Sequence, residues 1–144
     1  STVCLVSRTH SRAQQACDHL GKLFDVDIEA AGASTNEQRG ELCAEAQIVF
    51  TTGAAGIELL DEAHWQNNKN IEVLADANAT PPLGIGGTDM MDEGVDRHGK
   101  IIWGAIGFGK LKLSLHRACI AKLFESNEQI LDAEEIFALA KEMA

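Results

Sequence analysis

The chain has 144 residues, of which 45% are hydrophobic, and a formal net charge of −10. This size indicates one domain with enough apolar residues for a core, and no apolar run is long enough to span a membrane. The acidic balance argues against a general nucleic-acid surface, which would need a basic patch. The four cysteines include no Cys-x-x-Cys pair and no neighbouring pair of histidines. We therefore expect no metal site, and buried, reduced thiols in a cytoplasmic protein.

Strands and helices alternate along the first third of the chain. Thr2–Ser7 and Val26–Ala30 are short, largely apolar runs typical of buried parallel strands. Between them apolar residues recur at helical spacing, and Gly21 is placed to end that helix. A capping box at Ser34-Thr-Asn-Glu37 predicts the start of another helix, which should reach about Ala46.

The same alternation continues to the end of the chain. The capping box Asp132-Ala-Glu-Glu135 places the last helix, whereas the acidic segment from Gly87 to Lys100 is predicted to be irregular. Alternating strands and helices predict an α/β fold of the Rossmann-like type, with a parallel sheet, right-handed crossovers and helices on both faces. The remaining predicted elements are strands at Gln47–Thr52, Ile71–Ala75 and Ile101–Ile106, a short helix at Glu58–Ala63, and helices at about Lys110–Phe124 and Ala133–Met143.

The stretch from Ile71 to Gly87 is the best candidate for a ligand-binding segment. Its strand ends in the polar Asp76-Ala77-Asn78, and the stiff Pro81-Pro82 and a glycine-rich run follow. In open α/β sheets, ligands lie just beyond the carboxyl ends of the strands. A rigid and then flexible loop at that edge lets main chain approach a flat ligand closely. An ordinary surface loop is the alternative.

The glycine-rich turn that usually opens a dinucleotide-binding fold is missing from this sequence. No Gly-x-Gly-x-x-Gly lies between a strand and a helix near the start, so the chain opens on what corresponds to the second strand of such a fold. The absent first strand would lie in the middle of the usual sheet, and its neighbours would keep unpaired backbone groups. We expect the chain to be one part of a larger polypeptide that folds poorly alone.

The end of the first strand has the residues expected for a phosphate rather than for ribose hydroxyls. It lacks the Asp or Glu that would accept the ribose hydroxyls of NAD. It ends in Ser7-Arg8-Thr9, with Arg12 one turn further along, a set that suits the 2′-phosphate of NADP. A basic helix start with an ordinary hydroxyl cap is the alternative, and Ser7 and Thr9 could also serve NAD.

Three longer segments resemble the NAD(P)-dependent methylene-tetrahydromethanopterin dehydrogenases of bacterial one-carbon metabolism and methylotrophy. They are ADANATPPLGIGG at 75–87, TTGAAGIELL at 51–60 and LKLSLHRACIAKLFES at 111–126, and residues 132–144 look like that family's C-terminus. The resemblance covers essentially the whole chain and corresponds to the second half of the family's protein. It implies oxidation of methylene-tetrahydromethanopterin to the methenyl form, with hydride passing to NADP⁺ or NAD⁺. A methylene-tetrahydrofolate substrate stays open.

The resemblance also implies where the ligands lie. Residues 1–125 would form a partial NAD(P)-binding domain, and residues 126–144 a C-terminal helix that packs on it or toward the missing N-terminal half. The cofactor would contact Ser7, Arg8, Thr9, Arg12, Thr51, Thr52, Gly53, Ala54, Asp76, Ala77, Asn78, Gly107 and Gly109. The pterin substrate would contact Pro81, Pro82, Leu83, Gly84 and Lys110. Asn78 could instead only fix its loop, and the segment at 51–54 could be a plain strand-end turn.

No catalytic side chain is predicted. The reacting carbon lies between two nitrogens that stabilise the cation after hydride leaves, so no proton need move and the protein must mainly orient two rings and exclude water. The basic cluster from Lys110 to Lys122 could attract an anionic substrate tail, although a solvated helix face is the simpler explanation. The expected partners are the N-terminal half of the same protein and further copies in a homo-oligomer. The alternatives are another NAD(P)-dependent dehydrogenase on this scaffold and a non-catalytic nucleotide-binding module.

Overall fold

The computed structural model describes residues 2–143, apart from the side chain of Lys110. Within this range helices alternate with mainly parallel strands, which confirms the predicted Rossmann-like α/β class. None of the described helices is both long enough and apolar enough to cross a membrane. In chain order the elements are β1 (Cys4–Ser7), α1 (His10–Phe24), β2 (Glu29–Gly32), α2 (Asn36–Leu42), β3 (Ile48–Thr51), α3 (Glu62–Trp65), β4 (Val73–Asp76), β5 (Glu93–Arg97), β6 (Lys100–Trp103), α4 (Gly109–Leu123) and α5 (Ala133–Met143).

The strands of the described residues form two separate sheets. β1 pairs in parallel with β2, and a second sheet has the order β3-β4-β6-β5, in which β5 alone is antiparallel. As predicted, the strands that occupy the second and fourth positions of the fold, β1 and β3, are not paired with each other in the part of the chain that the structure covers. Apolar side chains on these strands stay exposed, among them Val6, Ile48 and Phe50.

The hydrophobic core lies within the four-stranded sheet and the loops that cover it. Trp65 is fully buried, and its indole Nε1 donates a hydrogen bond to the carbonyl of Gly86 at 2.9 Å. Burying one large apolar side chain contributes about 1.5–3 kcal/mol, so this cluster anchors the segments around β4. Its members are Leu60, Trp65, Ile71, Leu74, Ile85 and Ile102.

The first helix is longer than the sequence predicts. α1 does not end at Gly21 but continues to Phe24, and Asp25 caps it in the left-handed conformation with φ 51°. Gly21 has a different role, because a Cβ there would lie 2.9 Å from the carbonyl oxygen of Val26. The chain turns back against the helix at this point, so β2 begins at Glu29 and not at Val26.

Two helix starts are displaced from their predicted positions. The capping box of α2 is real but lies one residue later, between Thr35 and Gln38, and the helix ends at Leu42. The short helix α3 begins at Glu62, where the Asp61 side chain caps it, and not at Glu58. The residues before it are extended, and Leu60 forms an isolated parallel bridge with Ile85.

The acidic segment predicted to be irregular contains a strand, so that prediction was wrong. β5 forms a hairpin with β6, and the connecting residues His98 and Gly99 have φ of 55° and 74°. Positive φ at both central residues is what the commonest two-residue hairpin turns require. The helix at the C-terminus is confirmed, since α5 spans Ala133–Met143 and the Glu135 carboxylate accepts from the backbone N–H of Asp132 at 3.2 Å.

Candidate functional site

The carboxyl ends of β3, β4 and β6 meet at one edge of the larger sheet because these strands run parallel. Thr51 ends β3 and lies in register with Asp76, which ends β4. Trp103 ends β6 in register with Ala75. This edge is where open α/β sheets bind ligands, and it brings together the segments 51–54 and 76–84.

The carboxylate of Asp76 is the centre of this edge. Its side chain is 1% exposed and accepts four hydrogen bonds. At Oδ1 the donors are the Thr51 hydroxyl at 2.7 Å and the backbone N–H of Asn78 at 3.0 Å. At Oδ2 they are the backbone N–H groups of Gly84 at 2.7 Å and Ile85 at 3.2 Å. Asp76 therefore folds the loop that follows β4 back onto the strand.

Asn78 fixes the same loop from inside. It is buried, its Oδ1 accepts from the backbone N–H of Thr80 at 2.9 Å, and its Nδ2 donates to the carbonyl of Pro82 at 3.2 Å. Pro81 and Pro82, joined by a cis peptide bond, are exposed at the tip of the loop, and Ala77 is exposed beside β4. The loop thus turns its polar side chains inward and presents Ala77 and the prolines outward.

Gly84 is buried where the loop returns to Asp76. A Cβ at this position would lie 2.7 Å from Asp76 Oδ1 and 3.0 Å from Thr51 Oγ1. The absence of a side chain is therefore required by the contact with the carboxylate. Leu83 before it is half-buried.

The loop after β3 is open to solvent. Thr52, Gly53 and Ala54 are exposed, and a Cβ on Gly53 would meet the Leu59 side chain at 2.4 Å. The backbone of Thr51 accepts a hydrogen bond from the N–H of Ala77 at 2.9 Å, which ties this loop to the end of β4. The two loops form one continuous surface at the sheet edge.

The end of β1 carries an exposed basic and hydroxyl-bearing segment. Arg8, Thr9 and Arg12 are exposed, and Ser7 is half-buried with its carbonyl accepting from the N–H of Ala33 at 2.8 Å. Thr9 occupies the N-cap position of α1 in an extended conformation without a side-chain capping bond, and the first turn carries no acidic residue. The amino terminus of this helix therefore suits an anion, because its first amides point outward with a partial positive charge.

The two predicted glycines before α4 differ in their surroundings. Gly107 is buried, and a Cβ there would overlap the carbonyl oxygen of Asp92 at 1.6 Å. Gly109 has open space where a Cβ would be. Between them Phe108 packs near Phe50, with ring centroids 6.2 Å apart. The side chain of Lys110 lies outside the described residues.

The cysteine thiols at the other edge are unsuited to nucleophilic chemistry. Burial raises the pKa of Cys43, and the neighbouring Cys4 raises it further. Burial also raises the pKa of Cys4, with added effects from Glu29 and Cys17. Because the thiolate is the reactive form, both groups are weak nucleophiles at neutral pH. Among the described residues no cluster of His, Cys, Asp and Glu is arranged to hold a metal ion.

One residue at this edge carried no signal in the sequence. Arg39, in the middle of α2, donates from Nε to the carbonyl of Leu59 and from Nη1 to the carbonyl of Ala33 at 3.3 Å. An arginine within a short polar helix reads as solvent-exposed, and only the folded chain shows that it joins the ends of β2 and of the loop after β3. No pattern of spacing could have identified it.

Comparison with known proteins gives two relatives and no matching protein-family model. The bifunctional protein MdtA of Methylorubrum extorquens is 54% identical over 142 residues, which are 99% of this chain and 49% of that protein. The NAD(P)-dependent methylenetetrahydromethanopterin dehydrogenase of the same organism is 27% identical over 124 residues, 84% of this chain and 42% of that protein. The chain spans half or less of these relatives' length. The resemblance noted in its motifs is thus confirmed as similarity to a protein of that name.

Proposed function

We propose that this chain is the cofactor-binding part of a dehydrogenase that oxidises methylene-tetrahydromethanopterin with NADP⁺. Its similarity to a protein named for this reaction, over 84% of the chain, supports the substrate class. The observation that carries the proposal is the sheet edge itself. An anion-binding helix start at β1 and a loop held by Asp76 at β4 lie at strand ends of one Rossmann-like fold.

The residues at the start of α1 fit the adenosine end of NADP⁺. Arg8 and Arg12 supply guanidinium groups, Thr9 supplies a hydroxyl without a capping bond, and the helix amides supply further donors. Guanidinium groups bind phosphates through paired, charge-assisted hydrogen bonds, so this donor set matches a 2′-phosphate. The first turn of α1 carries no acidic residue that would repel it.

The other end of the edge fits a reaction that needs no proton transfer. When bound, the nicotinamide ring supplies the acceptor for the hydride. Both oxygens of Asp76 are occupied by donors from its own loop, which leaves this buried carboxylate no free lone pair aimed at a substrate. The protein's contribution is then to orient the rings and exclude water.

We assign the predicted site residues two kinds of role on this basis. The exposed ones, including Thr52, Ala54, Ala77 and the proline tip, line the surface that ligands contact. The buried ones, Asp76, Asn78, Gly84 and Gly107, shape that surface from behind. Thr51, Gly53, Leu83, Gly109 and Lys110 keep their proposed places beside the nicotinamide and the pterin.

The half of the relatives that lies outside the match supports a further element of the proposal. A strand from such a segment would pair with the free edges of β1 and β3, cover Val6, Ile48 and Phe50, and bring the pyrophosphate-binding turn with it. Residues 1–125 would then complete one nucleotide-binding domain, and residues 126–144 would pack as a separate C-terminal helix.

The test is direct turnover by the protein as its gene encodes it. Methylene-tetrahydromethanopterin and NADP⁺ are mixed with the protein, and NADPH formation is followed by its ultraviolet absorbance. Production of NADPH and of the methenyl product in equal amounts supports the proposal. NADPH formation only with a hydroxy acid would favour another dehydrogenase, and tight NADP⁺ binding without turnover on any pterin or folate would favour a nucleotide-binding module.

A further inference from the structure

The two sheets of the described chain share no strand pairing, so their relative position depends on other contacts. α2 connects them in sequence, and it is held against α3 because Gly40 has no side chain. A Cβ on Gly40 would lie 2.6 Å from the His64 ring. The N-terminal end of α2 is fixed as well, because the Oδ1 of Asn36 accepts from the backbone N–H of Asp61 at 3.1 Å.

Arg39 extends from this helix across the carboxyl ends of the two sheets. Its guanidinium donates to the carbonyl of Ala33, the residue that follows β2, and to the carbonyl of Leu59 in the loop after β3. Both contacts are partly buried. A guanidinium suits this task because its donors diverge in a fixed plane and can satisfy two carbonyls at once.

These bonds complete a continuous path of hydrogen bonds between the two ends of the proposed cofactor site. Ala33 donates from its N–H to the carbonyl of Ser7 at 2.8 Å, at the end of β1. On the other side, Leu59 donates from its N–H to the carbonyl of Gly84 at 2.8 Å. Gly84 in turn donates to Asp76 Oδ2 at 2.7 Å. Arg39 is the link in this path that joins the first sheet to the second.

We propose that Arg39 is a positioning residue that sets the spacing between the adenosine-binding segment at β1 and the nicotinamide-binding loop at β4. The inference rests on the proposed function, because it supposes a dinucleotide that spans both. It makes a specific demand on ligands. A molecule that contacts only the β1 end does not depend on the spacing, whereas a dinucleotide must fit both ends at once.

The experiment compares two ligands in the protein as its gene encodes it. Adenosine 2′,5′-bisphosphate reports the β1 end alone, and NADP⁺ reports the whole site, both by calorimetry. For Arg39→Ala we expect the affinity for NADP⁺ to fall by about tenfold or more, the loss of one charge-assisted contact, with the bisphosphate affinity unchanged within about twofold. Arg39→Lys, which keeps the charge and can reach one carbonyl, should lose less.

A matched control separates positioning from general weakening of the fold. Asn68 also donates from one side chain to two main-chain carbonyls, those of Cys43 and Ala44, but before the amino ends of β3 and β4. Asn68→Ala should lower the stability while leaving the ratio of the two affinities unchanged. If Arg39→Ala fails to fold, Arg39→Lys carries the comparison.

Equal losses for both ligands in the Arg39 variants, or a changed ratio in Asn68→Ala, would overturn the positioning role. A wild-type protein that binds both ligands and forms NADPH keeps the proposed function whatever Arg39 does. A wild-type protein that binds neither ligand removes the proposed function, and the role of Arg39 with it.

Discussion

Replacing Asp76 by Asn tests whether the buried carboxylate holds the loop after β4. The substitution keeps the shape of the side chain but exchanges one acceptor oxygen for an NH₂ group. If that group faced Gly84 and Ile85, two buried amide donors would lose their acceptor. Turned the other way it faces the Thr51 hydroxyl, which can rotate to accept, and only the N–H of Asn78 is left without a partner.

The less damaging orientation sets the size of the effect. One buried amide without an acceptor destabilises by about 1–3 kcal/mol, and changing two charge-assisted bonds to neutral ones removes roughly 1 kcal/mol each. The expected loss is therefore about 3–5 kcal/mol, a large part of the ~5–15 kcal/mol that stabilises a typical domain.

Urea unfolding followed by tryptophan fluorescence measures this loss, since the buried Trp65 is bonded to Gly86 in the same loop. The matched control is Asp61→Asn, which changes an exposed aspartate that caps α3. Asn caps helices about as well as Asp, so that variant should change the stability by less than about 0.5 kcal/mol. A loss below about 1 kcal/mol for Asp76→Asn would refute the structural role assigned to the carboxylate.

Three further changes test other parts of the site. Arg8→Ala should weaken binding of NADP⁺ by ~1–3 kcal/mol more than binding of NAD⁺, measured by calorimetry, and equal effects would contradict the 2′-phosphate assignment. Gly84→Ala should lower the free energy of unfolding by ~1–3 kcal/mol, because its Cβ would lie 2.7 Å from Asp76 Oδ1, and an unchanged urea midpoint would contradict this packing. The raised pKa of Cys43 means that the unfolded chain releases this proton first, so the stability due to the neutral thiol is full below the ordinary value of 9.0 and is lost as pH rises beyond it. Cys43→Ala should remove that alkaline loss from urea titrations above this pH, and an identical pH profile would show that another group is responsible.

The elements that the sequence placed correctly are those fixed by local interactions. α5 begins where Asp132 and Glu135 can exchange hydrogen bonds with nearby backbone, and these partners lie within one turn. Gly21 misled because glycine is typical of helix ends, whereas here it admits the carbonyl of Val26 from a returning segment. β5 was missed since Glu93–Arg97 is a polar edge strand with a single large apolar residue, and only its pairing with β6 defines it.

The candidate site shows the same division. The position of Asp76 at a strand end was visible, because the apolar run before it ends there. Its four partners were not, since Gly84 and Ile85 return to it only after the loop has folded. The sequence could therefore indicate where polar groups gather but not whether they face a ligand or the protein's own backbone.

This distinction separates the two tasks of the proposed site. Side chains that identify a nucleotide must remain free to bind it, and the exposed Arg8, Thr9 and Arg12 do. Groups that orient a ring must be rigid, and rigidity here comes from buried polar atoms whose hydrogen bonds are already made within the loop, as for Asp76 and Asn78. A reaction that moves no proton tolerates this arrangement, because it needs no free acid or base at the reacting carbon. Such a site fails when the distance between its two ends changes, and that distance depends on the bonds of Arg39 across the two sheets.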